Sequence, residues 1–245
     1  MTIKAVVLYD GTNFSGWQVQ DGKRTVQGEI ERALKELSGK DIRIVGSGRT
    51  DAGVHAEGQV FSFKTGLKID DKRLYKAINA RLPEDIRLSF TQKVDDNFNA
   101  RYSAKKKTYE YRFYLGETIN PLKERYALNI FGVDLEAMSQ AAKLFKGEHD
   151  FSAFCSTGSL VKTTVRKIYA CSLKKSGDDV IFSVCGNGFL YNMVRIMAGT
   201  LLYVGEGKIP KENILKAFES GDRTLLGKTL SPKGLVLKRV EYGKV

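Results

Sequence analysis

The sequence is poor in the residues that build covalent or metal-linked scaffolds. Its 245 residues include three cysteines and two histidines. The three cysteines, Cys155, Cys171 and Cys185, are odd in number and far apart, so we expect neither a disulfide framework nor a C-x-x-C metal knuckle. Two histidines make a zinc site improbable, and no metal is expected. This cysteine usage is typical of a reduced, cytoplasmic protein.

Long hydrophobic runs are also missing. No apolar stretch approaches the ~20 residues needed to cross a bilayer, and the stretch from Ala5 to Tyr9 is too short for a signal peptide. We therefore expect no membrane-spanning segment. The hydrophobic content of 42% and the charged content of 28% are ordinary for a soluble globular protein. At this length the chain forms either one large domain or two small ones, each with a real core.

Acidic residues are too few to balance the basic ones. The chain has 40 Lys and Arg against 28 Asp and Glu, a net charge of +12. Residues 1–105 carry 18 basic and 14 acidic side chains, and residues 106–245 carry 22 and 14, so both halves are basic. A polyanionic partner is the natural inference. Charge alone does not separate RNA from DNA or from an anionic membrane surface.

The hydrophobic periodicity of the first half predicts the element order β-α-β-β-α-β. Alternating or continuous apolar runs predict the strands, and apolar residues at helical spacing predict the helices. The predicted strands are Ile3–Tyr9, Ile42–Val45, Val60–Phe63 and Ile86–Val94, and the predicted helices are Thr25–Ser38 and a second one through Leu74, Ile78 and Leu82 that Pro83 ends. This order is that of a ferredoxin-like unit.

The second half repeats this order with one extra helix. The predicted strands are Thr108–Leu115, Val165–Leu173, Val180–Cys185 and Leu235–Tyr242, and the predicted helices are Leu135–Phe145, a buried Phe189–Val204 and Lys211–Phe218. The basic run Lys105–Lys107 is the candidate seam. We therefore predict an α+β fold of two tandem ferredoxin-like (βαββαβ) halves, 1–105 and 106–245, with antiparallel sheets and an active-site cleft between them.

A glycine-rich loop from Gly46 to Gly58 is the richest local feature. It fails as a G-x-G-x-x-G loop because Asp51 replaces the third glycine, and it fails as a P-loop because Val54 replaces the lysine. It holds no second carboxylate within five residues of Asp51, so a paired-acid glycosidase site is not suggested. Asp51 beside Arg49 is either a residue that caps its own turn or a charged pair presented to a ligand.

Two aromatic residues, Phe14 and Trp17, stand in the polar loop that follows the first strand. They either stack on nucleic-acid bases or are buried against a neighbouring element. Of the two histidines, we expect His55 to form hydrogen bonds within the glycine-rich loop, and His149 has no assigned role.

Several motifs together resemble the TruA family of tRNA pseudouridine synthases. They are YDGTNFSGWQ, GRTDAGVHA, Lys107–Tyr111, Asp150–Phe154, Asn192–Arg195 and Pro232–Leu235, which occur in the family's order and cover nearly the whole chain. The sequence departs at Ser231, where the family commonly has alanine. The resemblance implies a cofactor-free isomerase that forms pseudouridine at positions 38, 39 and 40 of the tRNA anticodon stem-loop, working as a homodimer.

The resemblance also assigns site residues. Asp51 is the catalytic carboxylate, ionised at neutral pH because its ordinary pKa is about 3.9, and Arg195 is its partner. Arg195 otherwise reaches the surface at the polar edge of its helix. Arg49 enters the RNA and helps to hold the target base out of its stack.

The resemblance assigns site roles to two further residues, for which the local sequence gives weaker support. Tyr109 is the family's active-site tyrosine, placed to stack on the uracil, although any strand would carry such aromatic residues. Leu235 forms an apolar wall for the base, and core packing explains it equally well.

Two other functions compete with the enzyme. A passive RNA-binding module would use the same fold, but the RNP1 signature of that class is absent. A carboxylate in the central loop is also unhelpful for holding a polyanion. An RNA chaperone that uses the basic faces is the weaker alternative, and loss of RNA refolding in Asp51→Ala would count against it.

Overall fold

The structure is a computed structural model that describes residues 1–158 and 161–243. The chain divides into two compact units. The first contains Met1–Lys105 together with the residues from Leu237 onward, and the second contains Lys106–Val236. The prediction placed all of 106–245 in the second half. Most of the last strand, from Leu237 onward, instead belongs to the first unit.

The first unit contains two helices and an antiparallel sheet. Its elements are β1 (Thr2–Tyr9), α1 (Val26–Ser38), β2 (Val45–Gly46), β3 (His55–Lys64), α2 (Asp71–Asn79) and β4 (Ile86–Val94). Strand β1 lies between β3 and β4 and is antiparallel to both, with Ala5 opposite Phe61 on one side and Thr91 on the other. Strand β2 pairs with the other edge of β3, and β10 (Leu235–Tyr242) also neighbours β3.

The core of this unit follows the periodicity of the sequence. Every second residue of β1 is buried, and α1 buries Val26, Ile30, Ala33 and Leu34 on one face. Helix α1 begins where the Thr25 hydroxyl accepts a hydrogen bond from the Gly28 amide, and it ends at Gly39 in the left-handed conformation. The predicted helix Thr25–Ser38 and the predicted strand Ile3–Tyr9 are therefore confirmed here.

Several boundaries in the first unit differ from the prediction. The second helix, predicted to run through Leu82 to Pro83, ends at Asn79. Of the predicted strand Ile42–Val45 only Val45 lies in β2, because the Ile44 amide donates to the Glu31 carboxylate of α1 at 3.1 Å. Strand β3 begins at His55 rather than Val60, since its pairing with β1 continues to Ala56 opposite Tyr9. The glycine-rich loop is correspondingly shorter than the sequence suggested.

The second unit is also antiparallel for the most part. Its elements are β5 (Ala104–Leu115), β6 (Leu128–Ile130), α3 (Leu135–Lys143), β7 (Gly147–Asp150), β8 (Val165–Ser176), β9 (Asp179–Gly186), α4 (Met193–Gly205) and α5 (Asn213–Ser220). The strand order is β5-β9-β8-β7, each pair antiparallel, and β6 pairs parallel to β5. With helices packed on largely antiparallel strands, the mixed α and β class is confirmed.

Helix α4 is buried on nearly every face, as its apolar run predicted. It begins at Met193 instead of Phe189, because Asn192 has a φ of +62° and breaks the helical path before it. The basic run Lys105–Lys107 lies inside β5, and the division between the two compact units falls within it, between Lys105 and Lys106. Strands β6 and β7 were not predicted, since three residues are too few for a periodic signal and Gly147–Asp150 carries no apolar alternation.

Candidate active site

The loop of residues 47–54 joins β2 to β3 and carries Arg49 and Asp51. Arg49 is exposed and Asp51 is half-buried. A turn follows Asp51, in which the Val54 amide donates to the Asp51 carbonyl oxygen at 3.2 Å and Gly53 has a φ of +77°. The structure thus brings these two predicted site residues together on one short loop.

A second loop, residues 10–18, packs directly against this one. The Trp17 amide donates to the Thr50 carbonyl oxygen at 3.1 Å, and the Gly53 amide donates to the Phe14 carbonyl oxygen at 3.3 Å. A Cβ atom on Gly16, whose φ is +92°, would lie 2.7 Å from the Thr50 carbonyl oxygen. Only glycine permits this approach, so the YDGTNFSGWQ and GRTDAGVHA motifs form one packed piece of structure.

The aromatic residues of the second loop are buried. Phe14 and Trp17 are each 3% exposed, and the indole of Trp17 lies between the rings of Tyr9 and Phe61, with centroids 6.2 and 6.3 Å away. The Arg24 guanidinium covers Phe14 at 4.1 Å. Burial, not base stacking, therefore accounts for these two side chains.

His55 is buried at the start of β3 and links the two loops. The Gly11 amide of the preceding loop donates to His55 Nδ1 at 3.0 Å. Asp10 Oδ1 lies 3.2 Å from the same nitrogen. His55 Nδ1 therefore lies within contact distance of a backbone amide and a carboxylate oxygen that both belong to the start of the preceding loop.

Arg195 lies in the first turn of α4, and its guanidinium is half-buried and tightly held. Its Nε donates to the Leu230 carbonyl oxygen and its Nη1 to the Asn192 side-chain oxygen, both at 2.6 Å. The Leu230 amide in turn donates to the Arg195 carbonyl oxygen at 3.3 Å. These bonds fix the guanidinium, so it does not swing freely at the helix edge.

Asn192, which supports Arg195, is itself unusual. Among the described residues it is the one non-glycine residue with a positive φ, a conformation that asparagine tolerates better than most residues. Its side-chain nitrogen donates to the Ser156 hydroxyl at 2.9 Å. The side chain thus connects α4 to the segment after β7.

Tyr109 and Leu235 also belong to the second unit, with Arg195. Tyr109 lies in β5, is 8% exposed, and meets the ring of Phe189 edge-on with centroids 5.1 Å apart. Leu235 is 6% exposed and follows a turn in which the Ser231 hydroxyl accepts from the Lys233 amide at 3.4 Å. A Cβ atom on Gly234 would lie 2.8 Å from the Tyr111 ring, which explains the glycine before Leu235.

Sequence reasoning missed the side chains that support the site. They are Tyr9, Thr50 and Gln59 in the first unit and Asn192 in the second. Gln59 is fully buried, but in the sequence it is marked only as a polar residue directly before the predicted strand Val60–Phe63. The others lie inside motifs whose individual residues the sequence does not distinguish.

Neither a metal-binding cluster nor a membrane-spanning helix is found in the part of the chain that the structure describes. In residues 1–158 and 161–243, no group of three or more His, Cys, Asp or Glu side chains is placed to hold a metal ion. Across the same residues, no helix combines the length and the apolar character needed to cross a membrane.

Comparison with known proteins gives the family. A family model for tRNA pseudouridine synthase matches residues 5–103 and 141–243. A tRNA pseudouridine synthase A from Geobacillus is 47% identical over 242 residues, 98% of each chain. Another from Caldicellulosiruptor saccharolyticus is 46% identical over 241 residues, 98% of this chain and 99% of the relative.

The solved structures are more distant. A chain in the crystal structure of a Cbf5-Nop10-Gar1 complex aligns with a TM-score of 0.36 at 16% identity, over 81% of this chain and 54% of that chain. The sequence comparisons suffice: the chain belongs to the tRNA pseudouridine synthase family and is of the TruA type, whose reaction converts uridine to pseudouridine in tRNA.

Proposed function

We propose that this protein isomerises uridine to pseudouridine at positions 38, 39 and 40 of the tRNA anticodon stem-loop, with no cofactor. The observation that carries the proposal is the match over 98% of the chain to proteins named tRNA pseudouridine synthase A. The net charge of +12 supports a polyanionic substrate.

The reaction rearranges one nucleoside without adding or removing atoms. The N1–C1′ bond breaks, the uracil turns, and a C5–C1′ bond forms. The proton on C5 is lost and N1 gains a proton, so atoms and electrons balance. The required groups are therefore an oxygen base or nucleophile near the ribose, a holder for the free base, and a group that assists the C5 proton step.

Asp51 is proposed as the catalytic carboxylate. Two routes begin from it: attack on C1′ to form a glycosyl ester, or removal of a proton from C2′. Both require an ionised oxygen close to the ribose. Its support is its place on a half-buried loop that a second loop holds through backbone hydrogen bonds, since a catalytic group must be held in position.

The other site residues are proposed by the same family membership. Arg195 keeps Asp51 ionised and oriented, which its guanidinium suits because arginine is always charged and presents a fixed fork of donors. Tyr109 stacks on the uracil and assists the C5 proton step, and Leu235 supplies an apolar wall. Arg49, which is exposed, enters the RNA and holds the base out of its stack.

The wider organisation is proposed as well. Each half follows the ferredoxin-like βαββαβ plan. In the first unit this is supported by the antiparallel strand order β4-β1-β3, with β2 at the far edge of β3. The order β5-β9-β8 supports it in the second. The protein works in the cytoplasm as a homodimer.

The test is pseudouridine mapping at nucleotide resolution. Unmodified tRNA with uridines at positions 38, 39 and 40 is incubated with the parent protein and with Asp51→Asn, and no cofactor is added. We expect modification at those positions alone with the parent and none with the variant, which still binds the tRNA. A folded parent that binds tRNA without modifying it would favour a passive RNA-binding protein. A large binding defect in a folded Asp51→Asn would make Asp51 structural.

A further inference from the structure

Four polar side chains are buried beneath the loop that carries Arg49 and Asp51. Tyr9, Ser47, Thr50 and Gln59 are 5%, 1%, 7% and 0% exposed. They belong to β1, to the loop itself and to β3. Burying polar groups is costly unless each is hydrogen-bonded, so such a cluster in the core of a small sheet demands a reason.

These side chains hold the backbone on both sides of Arg49. The Gln59 side-chain amide donates to the Gly48 carbonyl oxygen at 3.0 Å. On the other side, the Thr50 hydroxyl and the Tyr9 hydroxyl are 2.8 Å apart. Arg49 is therefore an exposed residue between two anchored neighbours, and Asp51 follows the second anchor directly.

Gln59 suits this place because it both donates and accepts. Its Oε1 accepts from the Ser47 hydroxyl at 2.6 Å and from the Val60 amide at 3.1 Å, while its nitrogen donates to Gly48. A glutamate would keep the acceptor and lose the donor, and its charge would face a carbonyl oxygen. A leucine would leave the Ser47 hydroxyl and the Gly48 carbonyl oxygen without this partner, and a buried polar group that loses its hydrogen bond is destabilising.

We propose that this buried network is a positioning device for the site and that Thr50 and Gln59 are its positioning residues. It sets the loop conformation before substrate binds, so that Arg49 and Asp51 stand at fixed places with no ordering cost in the reaction. The proposal rests on the proposed function of these two residues. It assigns no contact with substrate to Tyr9, Ser47, Thr50 or Gln59.

The test separates positioning from folding by a matched pair at one position. Thr50→Val keeps the shape and removes the hydroxyl, and Thr50→Ser keeps the hydroxyl. Single-turnover pseudouridine formation at saturating protein and the tRNA Kd are measured for each variant and for Tyr9→Phe. Tyr114→Phe is the control, since it removes a buried tyrosine hydroxyl that bonds Glu124 and the Asn120 amide in the second unit.

We expect Thr50→Val and Tyr9→Phe to lower the single-turnover rate about 10- to 100-fold with the tRNA Kd within about 2-fold of the parent. Thr50→Ser should restore most of the rate. The double variant should be no slower than either single variant, because both changes break one bond. Tyr114→Phe should keep the parent rate.

Folded Thr50→Val and Tyr9→Phe proteins with parental rates would overturn the proposal, as would a defect confined to the tRNA Kd. Hydrogen exchange of the amides of residues 48–53 gives a second readout that needs no activity. We expect faster exchange in Thr50→Val than in Thr50→Ser, and equal exchange would also overturn it. If the parent makes no pseudouridine, the proposed function fails while the exchange experiment still decides whether the network fixes the loop.

Discussion

Gly199, in the middle of α4, allows the helix to touch the chain segment that holds Arg195. A Cβ atom on Gly199 would lie 1.8 Å from the carbonyl oxygen of Lys228. The opposing glycine is equally tight, because a Cβ atom on Gly227 would lie 2.1 Å from the Gly199 carbonyl oxygen. The Gly227 amide also donates to the Thr200 hydroxyl at 3.2 Å. Backbone meets backbone here, so no side chain can move aside.

Gly199→Ala is therefore expected to destabilise the protein although alanine is the better helix former. Helix propensity favours alanine by about 1 kcal/mol. Against this, the segment around Lys228 must move away by 1.2 Å merely to lengthen the distance from the new Cβ atom to the Lys228 carbonyl oxygen from 1.8 Å to 3.0 Å. Overpacking of this kind costs about 1–3 kcal/mol, and an unyielding backbone places it at the upper end. The net loss is then about 2 kcal/mol, or a Tm lower by about 4–8 °C for a chain of this size.

The matched control is Gly28→Ala in α1. There the nearest atom to the new Cβ is the Thr25 hydroxyl oxygen at 3.0 Å, which is a side-chain atom. Because that hydroxyl caps α1, the gain in helix propensity and the tight contact oppose each other, and this variant should stay within about 1 kcal/mol of parental stability. Both variants are measured by urea unfolding followed by circular dichroism, which reports on both units.

Activity provides the second part of this prediction. The displaced segment includes Leu230, whose carbonyl oxygen accepts the hydrogen bond from Arg195. Folded Gly199→Ala should therefore form pseudouridine more slowly at temperatures well below its Tm, while Gly28→Ala keeps the parental rate. A Gly199→Ala protein as stable as Gly28→Ala would refute the packing argument, and a parental rate would refute the link to Arg195.

Three more outcomes are expected. Asn192→Ala and Asn192→Gly should both slow turnover, because Arg195 loses a hydrogen-bond acceptor in each. Urea unfolding should show the alanine variant to be about 1 kcal/mol less stable than the glycine variant, since alanine resists positive φ. Equal stabilities of the two variants would contradict this. The affinity for tRNA should fall steeply between 50 and 200 mM salt, by about 10³-fold if six phosphates are contacted, and a flat titration would refute our account of the charge. Burial raises the pKa of Tyr9 above its ordinary value of about 10. Its contribution to stability is therefore complete below pH ~10 and is lost as the pH rises further. In urea titrations, the unfolding free energy of Tyr9→Phe should fall less steeply with alkaline pH than that of the parent, and an equal slope would contradict this.

Much of the fold could be predicted because local periodicity reports burial. Strands β4 and β10 have the predicted bounds, and α1 follows its capping threonine and its apolar stripe. The failures lie where a tertiary contact decides. Ile44 looks like a strand residue, yet its amide bonds a glutamate of α1.

The candidate site divides in the same way. Glycines and charged residues marked the loop of Arg49 and Asp51, since close backbone approach and exposed charge are both visible in residue types. The roles of these residues, and those of Tyr109, Arg195 and Leu235, remain predictions from the family.

The sequence by itself determined most of the elements, the basic character and the family of this protein, because each depends on residue types and their spacing along the chain. The tertiary structure decided which side chains support the loop. Tyr9, Thr50 and Gln59 come from separate segments and meet only after β1 and β3 have paired. It also decided where α4 begins, since the positive φ of Asn192 is maintained by bonds to Ser156 and Arg195. Hydrogen bonds between distant segments leave no periodic trace in a sequence, and they hold this site in place.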